Sequence, residues 1–554
     1  MGVVPGKHRQ RLHRNIEVRV SNFFKVILSL LIVGLGQPAW ISWIAPVAAA
    51  LGYALFWDAL KQFSLRKQHF WLSFSWFSIV QAIQLSWMTS IEFQGYYILV
   101  IYALLSCWLG LQFGLLSVFV LESPVLSVSR VLALAGVWTL MEWIRFHILC
   151  GFSWNPLGIA LTSYALGMQL ASVGGVLGLS FWVIMTNLFA LRARTLVLSR
   201  KRVVVWAVVA MFPYLYSGML FSWHSGKVNS QGTLQALLVQ PGMLPSQKTP
   251  LEGRTKEFMS PWEQWRGIFQ GLIPHQTRQV DLVALPESAV PFRSNQMVYD
   301  YHTARDLLAQ EFGQEALKAL PILAPPFFQE GKVSNAFFSQ FLANHLHADI
   351  IIGMDDEDSM EHCYSAAMHF TPWKNEIDHY EKRVLLPLAE YIPFEWCATF
   401  TKAYGIESFY THGKGAKVFS SPLPLSVSIC YEETFPNLVR EGRLMGARLF
   451  VNLTNDNWYP ESRLAQQHFD HGKLRAVENG IPTVRACNSG ITAAVDAFGR
   501  TVGRLTEAKG VLHVEVPKYQ MATLYTITGD ALIVGICFGF IAFYLSFKRF
   551  SDSV

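Results

Sequence analysis

The chain has 554 residues, 52% hydrophobic and 15% charged, with a formal net charge of +6. Soluble domains carry about 25% charged residues, so an ordinary soluble enzyme is excluded, as are disordered, collagenous and low-complexity chains. The charge is split: residues 1–222 hold 16 basic and 5 acidic side chains and the remainder 29 and 34, which excludes a uniform membrane bundle and gives no dominant basic face for nucleic acid.

A membrane-spanning helix needs about 20 mainly apolar residues. Seven candidates precede residue 223, near 24–36, 38–57, 69–89, 96–121, 131–149, 164–191 and 203–222, and an eighth lies near 529–547. The basic residues orient them. Lys7, Arg9, Arg11, Arg14, Arg19 and Lys25 precede the first span, Lys61, Arg66 and Lys67 follow the second, and Arg130 follows the fourth. Arg192, Arg194, Arg200, Lys201 and Arg202 separate the sixth and seventh, and Lys548 and Arg549 end the eighth. With eight spans all of these share one side. Both termini are therefore expected in the cytoplasm and residues 223–528 outside the inner membrane. A cleaved leader over the first apolar run would need that count redone. Trp40, Trp43, Tyr96, Tyr97, Trp143 and Trp154 read as interfacial anchors, and Arg145 as a snorkelling or paired cation. The expected division is a seven-span membrane domain over 1–222, an extramembrane α/β domain over 223–528, and a last span with a short tail over 529–554.

Within 223–528, short apolar runs predict strands at Leu234–Val239, Asp281–Leu285, Asp349–Gly353, Leu425–Ile429, Arg448–Leu453, Thr483–Ala486 and Thr492–Val495. Helices are expected at His302–Glu311, Glu315–Leu320 and Glu461–Asn479. Alternation of buried strands with helices argues for a layered α/β sandwich. The stretch 354–378 reads as polar and irregular, and 392–415 as an aromatic-rich loop able to dip into a membrane interface.

Seven cysteines form no CxxC and no zinc-type spacing, and the spacing identifies no disulfide pair. No metal or cofactor is expected. His468 and His471 lack a third ligand and read as solvated or capping, and Cys487 as a packed core thiol.

Three stretches carry groups suited to acyl transfer: Leu285-Pro286-Glu287-Ser288-Ala289 after an apolar strand, the run from Tyr380 to Pro393, and Cys430 at a strand end before Tyr431 and Glu432. A thiolate can attack an acyl carbon, a carboxylate can take its proton, and a lysine can stabilise the oxyanion. Composition and periodicity do not assemble the three.

In this order, the stretches resemble the nitrilase superfamily, and the whole chain resembles the apolipoprotein N-acyltransferase family. The resemblance rests on Pro286-Glu287-Ser288-Ala289, on Tyr380, Lys382, Leu385, Pro387, Glu390 and Tyr391, and on Cys430-Tyr431-Glu432. It extends to Asn455-Asp456-Asn457-Trp458, His468, Arg475-Ala476-Val477-Glu478, Arg485, Asn488, Gly490, Ile491 and Thr492, and to Glu142-Trp143, Arg145 and Gly151-Phe152-Ser153-Trp154. It implies an eight-helix membrane bundle with a nitrilase-like αββα domain. Glu287 would be the general base, Lys382 the oxyanion partner and Cys430 the acylated nucleophile. Glu390, Tyr431 and Glu432 would support geometry or substrate, and the Tyr431 N–H would be a second oxyanion donor. Leu388-Ala389 and Tyr459-Pro460 depart from the family's usual residues, and its tryptophan soon after the first domain strand is absent near Gln240–Pro250. The implied partners are a glycerophospholipid acyl donor, a diacylated apolipoprotein acceptor and membrane lipid, served by a monomer. The competing reading is a membrane-tethered amidase or nitrilase, with water resolving the same thioester.

Overall fold

A computed structural model describes residues 5–552 apart from 124, 150, 195–198, 225, 252 and 395–409. Helices Pro5–Leu35, Ala45–Leu60, Arg66–Gln84, Tyr97–Leu121, Val128–Arg145, Ala171–Ala193, Arg200–His224 and Ala531–Asp552 fall on the eight expected apolar stretches. Three of them, Tyr97–Leu121, Ala171–Ala193 and Arg200–His224, are long and apolar enough to cross a membrane. The second stretch becomes helical later than expected: Pro38–Ile41 is a separate turn, and the helix proper begins at Ala45 with a proline in its first turn, where the missing N–H does no harm. The sixth opens with short helical turns from Leu157, starts its long helix at Ala171, and bends at Gly175 (φ 64°).

Aromatic packing fills this half. Phe56 stacks on Trp76 at 4.2 Å, Trp57 stacks on Phe113 at 5.4 Å, and the Trp57 N–H donates to Ser117 at 2.9 Å. Outside, Val204, Val208, Met211, Leu215 and Met219 leave Arg200–His224 with an exposed apolar face, the mark of a surface that meets lipid or protein.

The rest of the chain is built on strands β1 (Thr233–Gln240), β2 (Leu282–Leu285), β3 (Tyr299–Asp300), β4 (Phe328–Gln329), β5 (Lys332–Val333), β6 (Asp349–Glu357), β7 (Cys363–Phe370), β8 (Asp378–Glu381), β9 (Leu425–Ile429), β10 (Leu449–Thr454), β11 (Thr483–Cys487), β12 (Ala493–Val495), β13 (Thr501–Arg504) and β14 (Gly510–Pro517). One sheet runs β14-β1-β2-β6-β7-β8 and a second β13-β12-β11-β10-β9, with β3, β4 and β5 forming a small separate sheet. The centres are parallel, β1 to β2 to β6 and β9 to β10 to β11.

Alternate side chains of β1 show why the runs are mainly apolar. Ala236 and Leu238 pack between the sheets with Ala284, Ile351, Val427 and Val451. Leu237 and Val239 face outward onto Trp265, Phe269 and Phe338 of helices Pro261–Leu272 and Asn335–Leu346. On the second sheet, helix Leu464–Asn479 contributes Phe469 and Ala476 against Ala493 and Val495, and helix Pro436–Leu444 contributes Val439 against Phe450. Strands buried on both faces lose the polar alternation of a one-sided sheet, and the result is an αββα sandwich.

Several expectations need correction. The 354–378 stretch is irregular only in part: β6 continues to Glu357 and turns back as β7, paired from Ile350↔Phe370 to Glu357↔Cys363, and the irregular remainder is the turn between them and residues 371–377. Its polarity misled because Asp355 accepts from Tyr410, Asp356 from Ser294, and Glu357 pairs with Arg293. Glu315–Leu320 is a 3₁₀ turn over Gln314–Ala319, and the Glu461–Asn479 helix begins at Leu464. Most of the aromatic 392–415 loop lies outside the described residues.

The two halves are stitched by hydrogen bonds. Glu478 accepts from the Val176 N–H at 2.9 Å beside the Gly175 bend. Lys473 donates to the Thr162 carbonyl at 2.8 Å, Gln169 to that of Phe498 at 2.7 Å, and Trp87 to the Gln467 side chain at 3.0 Å.

Candidate active site

Strand ends gather the expected residues. Glu287 follows β2, and its loop crosses β6 so closely that a Cβ at Gly353 would lie 2.6 Å from the Glu287 Cα. Ser288 takes a left-handed φ of 43°. Lys382 follows β8, its backbone N–H donating to the Ser365 carbonyl of β7 at 2.8 Å. Its side chain is 1% exposed, with Nζ 2.9 Å from Glu287 Oε1 and 2.6 Å from Glu390 Oε1. The other Glu390 oxygen accepts from the Leu386 N–H at 2.8 Å. Burial pulls the lysine down, but the two carboxylates overrule it and hold the ammonium well above the ordinary lysine value. Burial pushes Glu390 up against the pull of Lys382.

Cys430 follows β9 with φ 50°, a strained conformation for a non-glycine residue and the shape of a nucleophile elbow. Burial pushes its thiol well above the ordinary cysteine value, the Glu287 charge adds to this, and Lys382 pulls it back. The resting group is therefore a thiol that must hand its proton to a base as it attacks. Alkylation by iodoacetamide, followed by mass spectrometry of the Cys430 peptide, is expected to be at least about tenfold slower at pH 8 in the folded protein than after unfolding. Equal rates would mean the thiol is not suppressed.

Glu432 reaches away from the thiol and ties the elbow to the lysine segment. Its carboxylate accepts N–H bonds from Ile429 at 2.8 Å, Arg383 at 2.6 Å and Val384 at 3.1 Å, and the Tyr380 hydroxyl at 2.9 Å. Tyr431 ties the elbow to the membrane half: its hydroxyl donates to the Gly151 carbonyl at 2.8 Å, and its ring stacks on Trp154 at 5.9 Å. Trp154 is accordingly buried between the halves instead of anchoring at an interface. Arg145 is buried and pairs with Glu142 at 3.6 Å.

Sequence reasoning missed two groups. Lys248 is buried with Nζ 3.4 Å from the Glu287 carbonyl, and burial lowers it to about 8. The second group lies under the elbow. His468 is 2% exposed and His471 1%, so neither is solvated, as a polar-looking helix had suggested. His468 meets the Cys430 carbonyl at 3.0 Å and Asp456 at 2.8 Å, while Arg485 bridges Asp456 at 2.9 Å and Glu433 at 3.0 Å. Only the family-like run of Asp456, His468 and Arg485 hinted at them. Cys487 is a buried thiol, as expected. Among the described residues no group of three His, Cys, Asp or Glu side chains is placed to hold a metal ion.

The profile described as Carbon-nitrogen hydrolase matches residues 239–524, and that described as Apolipoprotein N-acyltransferase N-terminal domain matches residues 29–189. The Apolipoprotein N-acyltransferase of Chlamydia trachomatis serovar D is 33% identical over 95% of this chain and 97% of its own. The chain belongs to the apolipoprotein N-acyltransferase family. The enzyme of that name from Rickettsia prowazekii is 27% identical over 74% of this chain and 75% of its own. An amidase from Nesterenkonia sp. superposes with a TM-score of 0.34 at 18% identity, covering 56% of this chain and 98% of its own. In this apolipoprotein N-acyltransferase family member, both profiles meet at the elbow, since Gly151 lies within the N-terminal match and Tyr431 within the hydrolase match.

Proposed function

We propose that the protein moves a fatty acyl chain from a glycerophospholipid to the α-amino group of the diacylglyceryl-cysteine of an apolipoprotein, the last step of lipoprotein maturation. The observation that carries this reading is the buried Lys382 ammonium, clamped by Glu287 and Glu390 and felt at the Cys430 thiol, in a chain whose relatives bear the N-acyltransferase name. In the first step Cys430 Sγ attacks the ester carbonyl carbon and Glu287 takes the thiol proton. The tetrahedral oxyanion is met by the Lys382 ammonium and the Tyr431 N–H. The C–O bond breaks, Glu287 returns the proton to the leaving oxygen, and lysophospholipid departs. In the second step the free amine attacks the thioester, Glu287 takes a proton from nitrogen, the C–S bond breaks, and the proton returns to sulfur. Glu390 fixes the lysine, and Glu432 and Tyr431 fix the elbow.

The eight helices, with basic residues on one side, support an inner-membrane protein with cytoplasmic termini. In that arrangement 1–222 form the seven-span domain, 223–528 the periplasmic catalytic domain and 529–554 the last span and tail. Both substrates are anchored by acyl chains, so a site opening sideways to lipid suits them, and a monomer suffices.

The test is incubation of purified protein with phospholipid carrying a labelled acyl chain. A hydroxylamine-sensitive label is expected on wild type and not on Cys430→Ala, and it should transfer to a diacylated peptide with a free N-terminus. No label on wild type sinks the thioester. Label leaving only as free fatty acid, with peptide present, identifies a hydrolase.

A further inference from the structure

We propose that His468 is a buried imidazolium that positions and polarises the Cys430–Tyr431 peptide, making the Tyr431 N–H a stronger oxyanion donor. The inference rests on Cys430 being the acylated residue.

The first observation is a mismatch of donors and acceptors. His468 Nδ1 lies 2.8 Å from Asp456 Oδ1, and Nε2 lies 3.0 Å from the Cys430 carbonyl oxygen. A carbonyl and an ionised carboxylate only accept, and a neutral imidazole has a single N–H. One of its lone pairs would then face oxygen in a site closed to water. An imidazolium donates in both directions. Arg485 Nη2 also stands 2.9 Å from His468 Nδ1, but it reaches Asp456 Oδ2 at the same distance, so the ring need not accept from it.

The second observation is charge. The groups facing His468 are Asp456 after β10, Glu433 on the elbow turn at 3.6 Å, Arg485 on β11, and His471 and Arg475 on its own helix. Arg475 pairs with Glu478 at 2.8 Å. Burial, with Arg475 next, drives His471 well below the ordinary histidine value, so it adds no charge. Asp456 is held low against burial by Arg485 and His468. Glu433 is pushed up by burial and pulled back by Arg485. With Glu433 ionised beside Asp456, the two carboxylates and Arg485 alone would leave a net negative charge in a dry interior, which is costly, and a cationic His468 balances it. Gly472 makes the approach possible, since a Cβ there would lie 2.3 Å from Glu433 Oε1.

The consequence follows from the covalent geometry. The Cys430 carbonyl and the Tyr431 N–H are the two ends of one trans peptide unit and point to opposite sides. A cation donating to the carbonyl draws electron density through the amide and makes its N–H more positive, as in a cooperative hydrogen-bond chain. It also holds the left-handed Cys430 conformation. His468 is therefore a positioning residue, acting through the peptide without touching substrate.

Two measurements test this on the full-length protein. With ¹³C-carbonyl cysteine and ¹⁵N-ring histidine incorporated, solid-state dipolar recoupling selects the His468 nitrogen nearest the Cys430 carbonyl. Both nitrogens of that ring are expected to carry protons at pH 7, and a singly protonated ring overturns the proposal. In the second, thioester formation is followed with labelled dioleoylphosphatidylethanolamine in mixed micelles. His468→Gln keeps a neutral N–H donor, so its acylation rate constant should fall roughly 10–100-fold with KM within twofold of wild type. A wild-type rate in that variant overturns the proposal. Absence of any Cys430 thioester in wild type instead refutes the underlying reaction and leaves the recoupling result standing.

Discussion

Lys382→Met should reduce thioester formation by about 10²–10³-fold, the scale for losing an oxyanion-stabilising donor. It should also destabilise the protein, because Glu287 and Glu390 both lean on the same ammonium at 2.9 and 2.6 Å. Without it two carboxylates face each other in a buried site, where like charges force one to keep its proton. Breaking a buried pair in this way costs about 3–5 kcal/mol. The pH dependence gives the mechanism away. In the wild type the folded lysine is held above its unfolded value, so its stabilisation is complete below about pH 10.4 and is lost only as pH rises through the folded value. In the variant, acid supplies the missing proton, so the stability deficit should shrink from pH 8 to pH 5. Denaturation in detergent at both pH values measures it. A deficit independent of pH would mean that the two carboxylates do not share the lysine.

Glu432→Gln is expected to lower acylation by about 10²-fold through misplacement of the elbow against Lys382, with phospholipid KM little changed. The carboxylate receives N–H donors from both segments it joins, Ile429 on one side and Arg383 and Val384 on the other. An amide replaces one acceptor oxygen with NH₂, which then faces an N–H. Each orphaned buried donor costs about 1–3 kcal/mol, and Glu432→Ala removes the acceptor of all three N–H groups and of the Tyr380 hydroxyl. The two variants should therefore fall in order in both unfolding stability and rate. A Gln variant that matches wild type in both would remove Glu432 from the architecture of the site.

How much of this was legible in the sequence depended on where partners lie along the chain. β1, β2, β6 and β10 were readable because both faces of each are buried, leaving mainly apolar runs, and β9 because Leu425, Val427 and Ile429 alternate with serines and pack between the sheets. β7 and β8 were not, since the acidic end of β6 is occupied by Arg293, Ser294 and Tyr410 from distant segments. β13 and β14 keep many side chains half-exposed and carry no continuous apolar signal. Glu287, Lys382, Glu390 and Cys430 stood out because short motifs surround them. His468 did not, because nothing local announces burial. Its helix looks polar, yet it is pressed between the second sheet and the membrane half, and Asp456 and Arg485, which neutralise it, come from other elements. Trp154 looked like a membrane anchor for the same reason, its true neighbours Tyr431, His468 and His471 lying far away in sequence.

The stitching between the halves makes the catalytic sandwich undetachable. A fragment cut at 223–528 would keep Glu287, Lys382 and Cys430 with the motifs around them but would leave Tyr431 without Gly151, Glu478 without the Val176 N–H and Lys473 without the Thr162 carbonyl. Its wounded face would expose Glu478 and Lys473 with only their ion pairs to Arg475 and Asp470 left to them, directly behind the elbow. Soluble excised versions of this enzyme should therefore be inert for a reason unrelated to substrate delivery, and fusing such a fragment to a foreign membrane anchor should not revive it.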